Sequence, residues 1–282
     1  MMKRRAVDLV VISDVHLGTY GCHSKELLNY LKSIQPKTLV LNGDIIDIWQ
    51  FKKSYWPESH MKVIRQILKF VSNGVPVHYL TGNHDEMLRK FDDFHLGSFN
   101  IKNKLVLELG EERAWIFHGD VFDFTMQYSK WLAKLGAIGY DTLILLNSFV
   151  NWVLTLLKRE KMSFSKKVKA SFKNAVKFIN SFEQTAAELA IDKGYQFVIC
   201  GHIHQPEIRT ITTDKGSVTY LNSGDWVENL SALEYHNAEW VIYKYDPKKF
   251  ADKHLEEDLE QENLASKLDV KILLDQMRFE AV

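Results

Sequence analysis

Five short polar clusters in this 282-residue chain combine the residue types that hold metal ions. They are Asp14-Val15-His16, Gly43-Asp44-Ile45-Ile46-Asp47, Gly82-Asn83-His84-Asp85, His118-Gly119-Asp120 and Gly201-His202-Ile203-His204. On extended backbone, residues i and i+2 point the same way, so Asp14 with His16, and His202 with His204, are expected to reach one site together. The glycines let the chain turn sharply and bring donors close. Mixed carboxylate and imidazole donors suit Mn, Fe, Zn or Co rather than Ca or Mg. Seven donors are too many for one transition metal but suit two that share a bridge. Two ions about 3.5–4 Å apart can clamp a phosphoryl group and activate the water between them.

Each cluster follows a predicted strand or lies in the loop after one. Val7–Ser13, Thr38–Asn42, Pro76–Thr81, Lys104–Leu109 and Ala114–His118 read as strands, and Ser24–Ile34 and Glu58–Ser72 as helices. That βαβ alternation predicts a largely parallel sheet buried on both faces, with the clusters on its carboxyl edge. Phe197–Cys200, Glu207–Thr213, Ser217–Leu221, Ser231–Tyr235 and Trp240–Tyr245 read as further strands. Without long helices between them, they are expected to pair antiparallel, giving two packed sheets. Between Phe122 and Lys193 there is no proline and only Gly136 and Gly139, so the segment reads as helix inserted between two core strands. The expected division is a core over 1–121 and 194–246, an inserted helical cap over 122–193, and a charged helical tail over 247–282.

Composition narrows the setting. Two cysteines, Cys22 and Cys200, are too few for a disulfide framework and point to a reducing compartment. Val10-Val11-Ile12 runs straight into Ser13-Asp14, which reads as a buried strand rather than a signal peptide. The longest apolar stretch, Leu143 to Leu157, falls short of the roughly 20 residues that span a bilayer. Net charge is zero, yet the charge is segregated: +7 over 158–177, −4 over 246–282 and −3 elsewhere. Lys166, Lys169, Lys173 and Lys177 share one helical face, and Phe164, Val168, Phe172, Ala175 and Ile179 another. Either this is a hairpin packed on the core with its lysines in water, or a cationic amphipathic cap meeting anionic lipid or an amphiphilic substrate.

The ordered set D-x-H, G-D-x-x-D, G-N-H-D, H and G-H-x-H resembles the calcineurin-like metallophosphoesterase superfamily. The resemblance implies an α/β/β/α sandwich of two packed β-sheets flanked by helices, and two divalent ions, Mn²⁺ first with Fe, Zn or Co as alternatives. It implies that Asp14, His16, Asp44 and His204 hold one ion, and that Asp44 bridges to a second held by Asn83, His118 and His202. His84 would be the catalytic proton donor or charge stabiliser, oriented by a carboxylate such as Asp47. Asp47 and Asp85 could equally serve as loop caps. His23, His60, His78, His95, His236 and His254 lie outside the clusters and read as core or surface residues.

The inserted cap narrows the resemblance to the UDP-2,3-diacylglucosamine pyrophosphohydrolase branch, peripheral enzymes of lipid A synthesis on the cytoplasmic face of the inner membrane. It implies hydrolysis of a nucleotide–sugar–lipid to UMP and a diacylglucosamine 1-phosphate, with no nucleic-acid partner. Arg89, Lys166 and Lys167 are candidate diphosphate contacts. One residue departs from that branch, whose known members carry G-N-R-D where this chain has His84. A histidine acid helps most when the leaving group is an alkoxide, which keeps a lipid or nucleotide phosphomonoester or phosphodiester open as substrate. A metal-free binding scaffold on the same fold is the third reading; the filled ligand positions count against it.

Overall fold

The structure is a computed structural model and describes residues 4–49, 55–125, 179 and 182–250. Its first sheet is built around β1 (Arg5–Ile12), where Leu9, Val10, Val11 and Ile12 are all buried. A strand with no polar face must be covered on both sides. Leu9 and Val11 meet the second sheet, while Val10 and Ile12 meet α1 (Ser24–Ser33) and α2 (Glu58–Ser72). Val63, Ile67 and Phe70 put the apolar stripe of α2 on that face. Each such side chain contributes about 1.5–3 kcal/mol by leaving water.

β1 pairs in parallel with β2 (Ile34–Asn42), β2 with β3 (Val77–Leu80), and β3 with β5 (Phe99–Lys102). A two-residue strand, β4 (His95–Leu96), forms the edge, and the order is β12-β11-β1-β2-β3-β5-β4. The second sheet has order β6-β7-β8-β10-β9, from β6 (Leu105–Leu109), β7 (Glu112–Ile116), β8 (Phe197–Cys200), β9 (Glu207–Thr213) and β10 (Gly216–Asn222). Leu105, Ala114, Ile116, Ile199 and Leu221 from this sheet pack on Leu9, Val11, Val40 and Leu80 from the first. A third helix, α3 over 182–192, lays Phe182, Ala186, Ala187 and Ala190 on the outer face of the second sheet. Its alanines bring helix and sheet close. The layers are helix, sheet, sheet, helix, the expected sandwich.

Three details differ from the sequence reading. β2 starts at Ile34, directly after α1, rather than at Thr38, because Gln35 and Pro36 find partners in Ala6 and Val7. The β4–β5 hairpin was not expected. The later strands are not all antiparallel. β10 lies parallel to β8, since the turn between β9 and β10 sends the chain back along β8's direction. β11 (Ser231–His236) and β12 (Glu239–Lys244) leave that sheet and join the first one, β11 antiparallel to β1.

Most of the expected cap lies outside the described residues, including the apolar stretch 143–157 and the lysine face. Its final residues, 182–192, are the sandwich's own outer helix, so this part of the 122–193 range belongs to the core layers. Asp246–Val282 is a separate unit, of which 246–250 are described and include a 3-10 turn at Pro247–Phe250; the tail beyond lies outside the described residues. Among the described residues no helix is long and apolar enough to cross a membrane.

Candidate metal centre

β1, β2 and β3 in one sheet, and β7 and β8 in the other, deliver all five polar clusters to one edge of the sandwich. Backbone bonds sew the loops together. Asp14 N–H donates to the Gly43 carbonyl at 3.1 Å, Val15 and His16 to Asp44 at 2.9 and 3.0 Å, and Gly201 to His118 at 2.9 Å. The two sheets are joined where the His202 N–H donates to Asp14 Oδ2 at 3.0 Å.

The donors do not sit on extended backbone. Asp14, His16, Asp44, His202 and His204 have φ of 53°, 54°, 54°, 67° and 56°, the left-handed region that side chains with a Cβ disfavour. The i, i+2 geometry expected from the sequence is therefore corrected: tight left-handed turns aim these side chains. Such conformations persist where the surroundings over-determine them, and they cluster at functional sites.

Three donor groups result: Asp14, His16 and His204; His16, Asp44 and His84; and Asp44, His118 and His202. Within each group the donor atoms lie within 4.8 Å of one another. His204 Nε2 is 3.1 Å from Asp14 Oδ1, and His118 Nε2 is 3.3 Å from Asp44 Oδ2. The Nδ1 of His118 faces the Asn42 carbonyl at 2.8 Å, which can only accept, so the lone pair of Nε2 points inward when the ring is neutral. Asp14 Oδ1, His16 Nε2, Asn83 Oδ1 and His118 Nε2 are buried without a hydrogen-bond partner among the described residues. Converging, unsatisfied buried donors of this kind are costly unless a cation completes them. The residues present fit divalent ions.

Burial alone would raise the Asp14 and Asp44 carboxyls. The imidazoles around them outweigh it and hold both below the ordinary value, His204 and His118 leading at Asp14 and His118 at Asp44. The same pairs act in reverse on the rings. Burial opposes charge on His118 and His204, yet Asp44 and Asp14 push His118 well up, and Asp14 lifts His204 to about 9.

Glycine is required at several of these loop ends, Gly43 and Gly82 among them. A Cβ on Gly43, whose φ is +81°, would meet His118 Nδ1 at 2.4 Å, and one on Gly82 would meet Asp44 Oδ1 at 2.2 Å. Asp85 acts as a loop clamp. Its carboxylate accepts the Gly82 N–H at 2.6 Å, the Ile45 N–H at 3.0 Å and the Tyr79 hydroxyl at 2.6 Å, tying the loop after β3 to that after β2. Asp47 is buried between two rings, its Oδ2 3.0 Å from His84 Nδ1 and 3.4 Å from His16 Nδ1. His84 lies at the mouth. Burial works against its charge, but Asp47 and Asp44 raise its pKa above the ordinary value. The half-exposed Trp49 lies against it, ring centroids 5.3 Å apart.

The remaining candidates fare differently. Arg89 lies beside the centre but is ion-paired with Asp120. Lys166 and Lys167 lie outside the described residues. The sequence reading missed Asp225, fully buried behind His204. Its signal was present: Asn222-Ser223-Gly224-Asp225 is a polar run closing an apolar strand, as in the other clusters.

A family model described as calcineurin-like phosphoesterase matches residues 7–206. The chain is similar to the UDP-2,3-diacylglucosamine hydrolase of Aliivibrio fischeri (strain MJ11), 23% identical over 84% of this chain and 98% of that protein. It is also similar to the UDP-2,3-diacylglucosamine hydrolase of Nitrosococcus oceani, 26% identical over 79% of this chain and 88% of the other. Among solved structures, a phosphoesterase from E. coli aligns with 84% of this chain and 99% of its own, at 14% identity and a TM-score of 0.40.

Proposed function

From the premise that this chain belongs to the calcineurin-like phosphoesterase family and is a metal-dependent phosphoester hydrolase, we propose that it works with two ions on a nucleotide–sugar–lipid. The substrate would be UDP-2,3-diacylglucosamine, cleaved at its pyrophosphate to UMP and 2,3-diacylglucosamine 1-phosphate. Asp44 carries the two-ion part of the reading, because it groups with His118 and His202 on one side and with His16, itself a neighbour of Asp14 and His204, on the other. The relatives named for this substrate, aligned along most of their own length, support the substrate.

Asp14, His16, Asp44 and His204 would hold one ion, and Asp44, Asn83, His118 and His202 the other. Bound there, divalent ions supply Lewis acidity toward the phosphoryl oxygens and a water-derived nucleophile at neutral pH; Mn²⁺ is the first candidate. The chain's own groups do the rest. Asp47 turns the His84 ring so that Nε2 faces the donor side, 4.0 Å from Asp44 Oδ2. From there His84 can hydrogen-bond a phosphoryl oxygen or protonate the departing one. Arg89 would contact the diphosphate by exchanging Asp120 for it, with Lys166 and Lys167 adding charge from the inserted segment. That segment, whose sequence spaces lysines and apolar residues as on two faces of a helix, would receive the acyl chains and rest on the anionic cytoplasmic face of the inner membrane.

His84 also favours a second reading, a lipid or nucleotide phosphomonoester or phosphodiester. A ring whose proton affinity is raised by Asp47 is an acid suited to an alkoxide leaving group. The test is UMP release from UDP-2,3-diacylglucosamine in Mn²⁺, measured beside hydrolysis of p-nitrophenyl phosphate and bis(p-nitrophenyl) phosphate. Release of UMP at a rate well above ester hydrolysis is expected. Ester turnover without UMP release would overturn the substrate and leave the second reading.

A further inference from the structure

Asp225 follows β10 and is fully buried, yet among the described residues no lysine or arginine is ion-paired with it. Its two oxygens face different ways. Oδ1 accepts the backbone N–H groups of Val227, Glu228 and Asn229 at 2.8, 2.5 and 3.1 Å, closing the turn before β11. Oδ2 accepts the Asn229 side-chain amide at 2.6 Å and lies 3.7 Å from His204 Nδ1. The same amide of Asn229 donates to the His204 carbonyl at 2.7 Å. Hydrogen bonds thus run from the Asp225 carboxylate through Asn229 to the His204 backbone, while the His204 imidazole faces the same carboxylate across 3.7 Å.

His204 needs such support. Its backbone is left-handed, its side chain is 36% exposed, and its Nε2 must present a lone pair beside Asp14 Oδ1. A carboxylate facing Nδ1 keeps the proton on that nitrogen and frees Nε2 to ligate, an arrangement that recurs behind metal-bound histidines. We propose that Asp225, with Asn229, is a positioning residue that fixes the tautomer and orientation of His204 and thereby sets ion affinity in the pocket of Asp14, His16 and His204. The inference rests on the reading that His204 holds an ion. An asparagine at 225 has one acceptor oxygen and one amide. It can cap the turn or face the ring as an acceptor, not both.

The experiment is a calorimetric Mn²⁺ titration of the full chain as wild type, Asp225→Asn and Asn229→Ala, with melting temperatures, and ¹⁵N imidazole spectra after Zn²⁺ loading. Wild type is expected to take two ions and to show a His204 Nδ1–H. Asp225→Asn should weaken one binding event by about 10–100-fold, leave the other unchanged and lose that Nδ1–H signal. Asn229→Ala should weaken the same event less, with a small fall in melting temperature from the hydrogen bonds it removes. Two wild-type events in Asp225→Asn, or an equal loss in both events alongside a lower melting temperature, would overturn the positioning role. A wild type that binds no Mn²⁺ would overturn the two-ion reading itself and the inference with it.

Discussion

The pocket of Asp14, His16 and His204 and the pocket of Asp44, His118 and His202 use the same kinds of side chain but are walled differently. In the second, His118 has no exposed side-chain surface and is pressed on Gly43, with Nδ1 on a backbone carbonyl. Phe182, at the start of α3, closes in behind, its ring 6.4 Å from that of His202 and buried among Phe117, Phe122 and Val198. In the first pocket, His204 is one-third open to solvent and leans on side chains, Asp225 and Asn229, rather than on backbone. A donor set fixed by backbone and core packing is rigid before any ion arrives. One fixed by side chains at the rim is adjustable and easier to empty.

The largest effect should come from abolishing Asp44, the residue proposed to bridge the two pockets. Asp44→Asn is expected to reduce ion content in both and to lower kcat on the order of 10³-fold, read by elemental analysis and steady-state kinetics. Loss confined to one ion would break the picture of a common bridge. Substitution at His84 should separate chemistry from ion binding. His84→Ala should keep the ions and lose about 10²–10⁴-fold in kcat on an ester with a poor leaving group. His84→Arg should spare pyrophosphate cleavage more than ester cleavage, since a phosphate leaving group hardly needs a proton. A fall in ion content in either variant would make His84 a ligand, as its nearness to His16 and Asp44 allows.

Gly43→Ala sharpens the contrast between the walls. The added methyl meets His118 in a left-handed backbone, which should cost about 1–3 kcal/mol of stability and empty the second pocket while the first still fills. Equal loss from both would mean that the walls are not independent. Proton linkage should give the smallest effect. Asp44 and Asp14 hold the pKa values of His118 and His204 above the ordinary imidazole value in the metal-free protein, so ion uptake should release protons and apparent affinity should climb with pH. His204 has its pKa raised from 6.5 to about 9. Its charge therefore stabilises the metal-free fold fully below about 6.5, and the contribution fades as pH rises through about 9. Asp14 has the opposite sign: its contribution is present above the ordinary carboxylate range and lost as pH falls. Melting temperature against pH, with and without Mn²⁺, reads both.

Much of this centre was legible because its donors come in short runs at strand ends, where a parallel sheet must gather them. The βαβ texture gave the first sheet, and α2 was bounded correctly because Pro57 and the Val63, Ile67, Phe70 stripe are local signals. Left-handed backbone at Asp14 and His202 was not legible, since no local preference of aspartate or histidine demands it; the loops impose it through the bonds of Asp14 to Gly43 and of His202 to the Asp14 carboxylate. The parallel partnership of β8 and β10 depends on where β9 is sent, which is a tertiary choice. Asp225 looked like a turn residue because its capping of Val227, Glu228 and Asn229 is local, whereas its approach to His204 is not.

The five left-handed residues at the centre bear on engineering as well as catalysis. At roughly 1–2 kcal/mol each, their summed strain approaches the whole net stability of an ordinary domain, about 5–15 kcal/mol. Glycine accepts that backbone freely. A library ranked by the heat resistance of metal-stripped protein would therefore drift toward glycine first at 16 and 202, enriching chains that survive heating and hydrolyse nothing. Scoring the same library with ions present would reverse the ranking, because only the native side chains gain stability from what they bind.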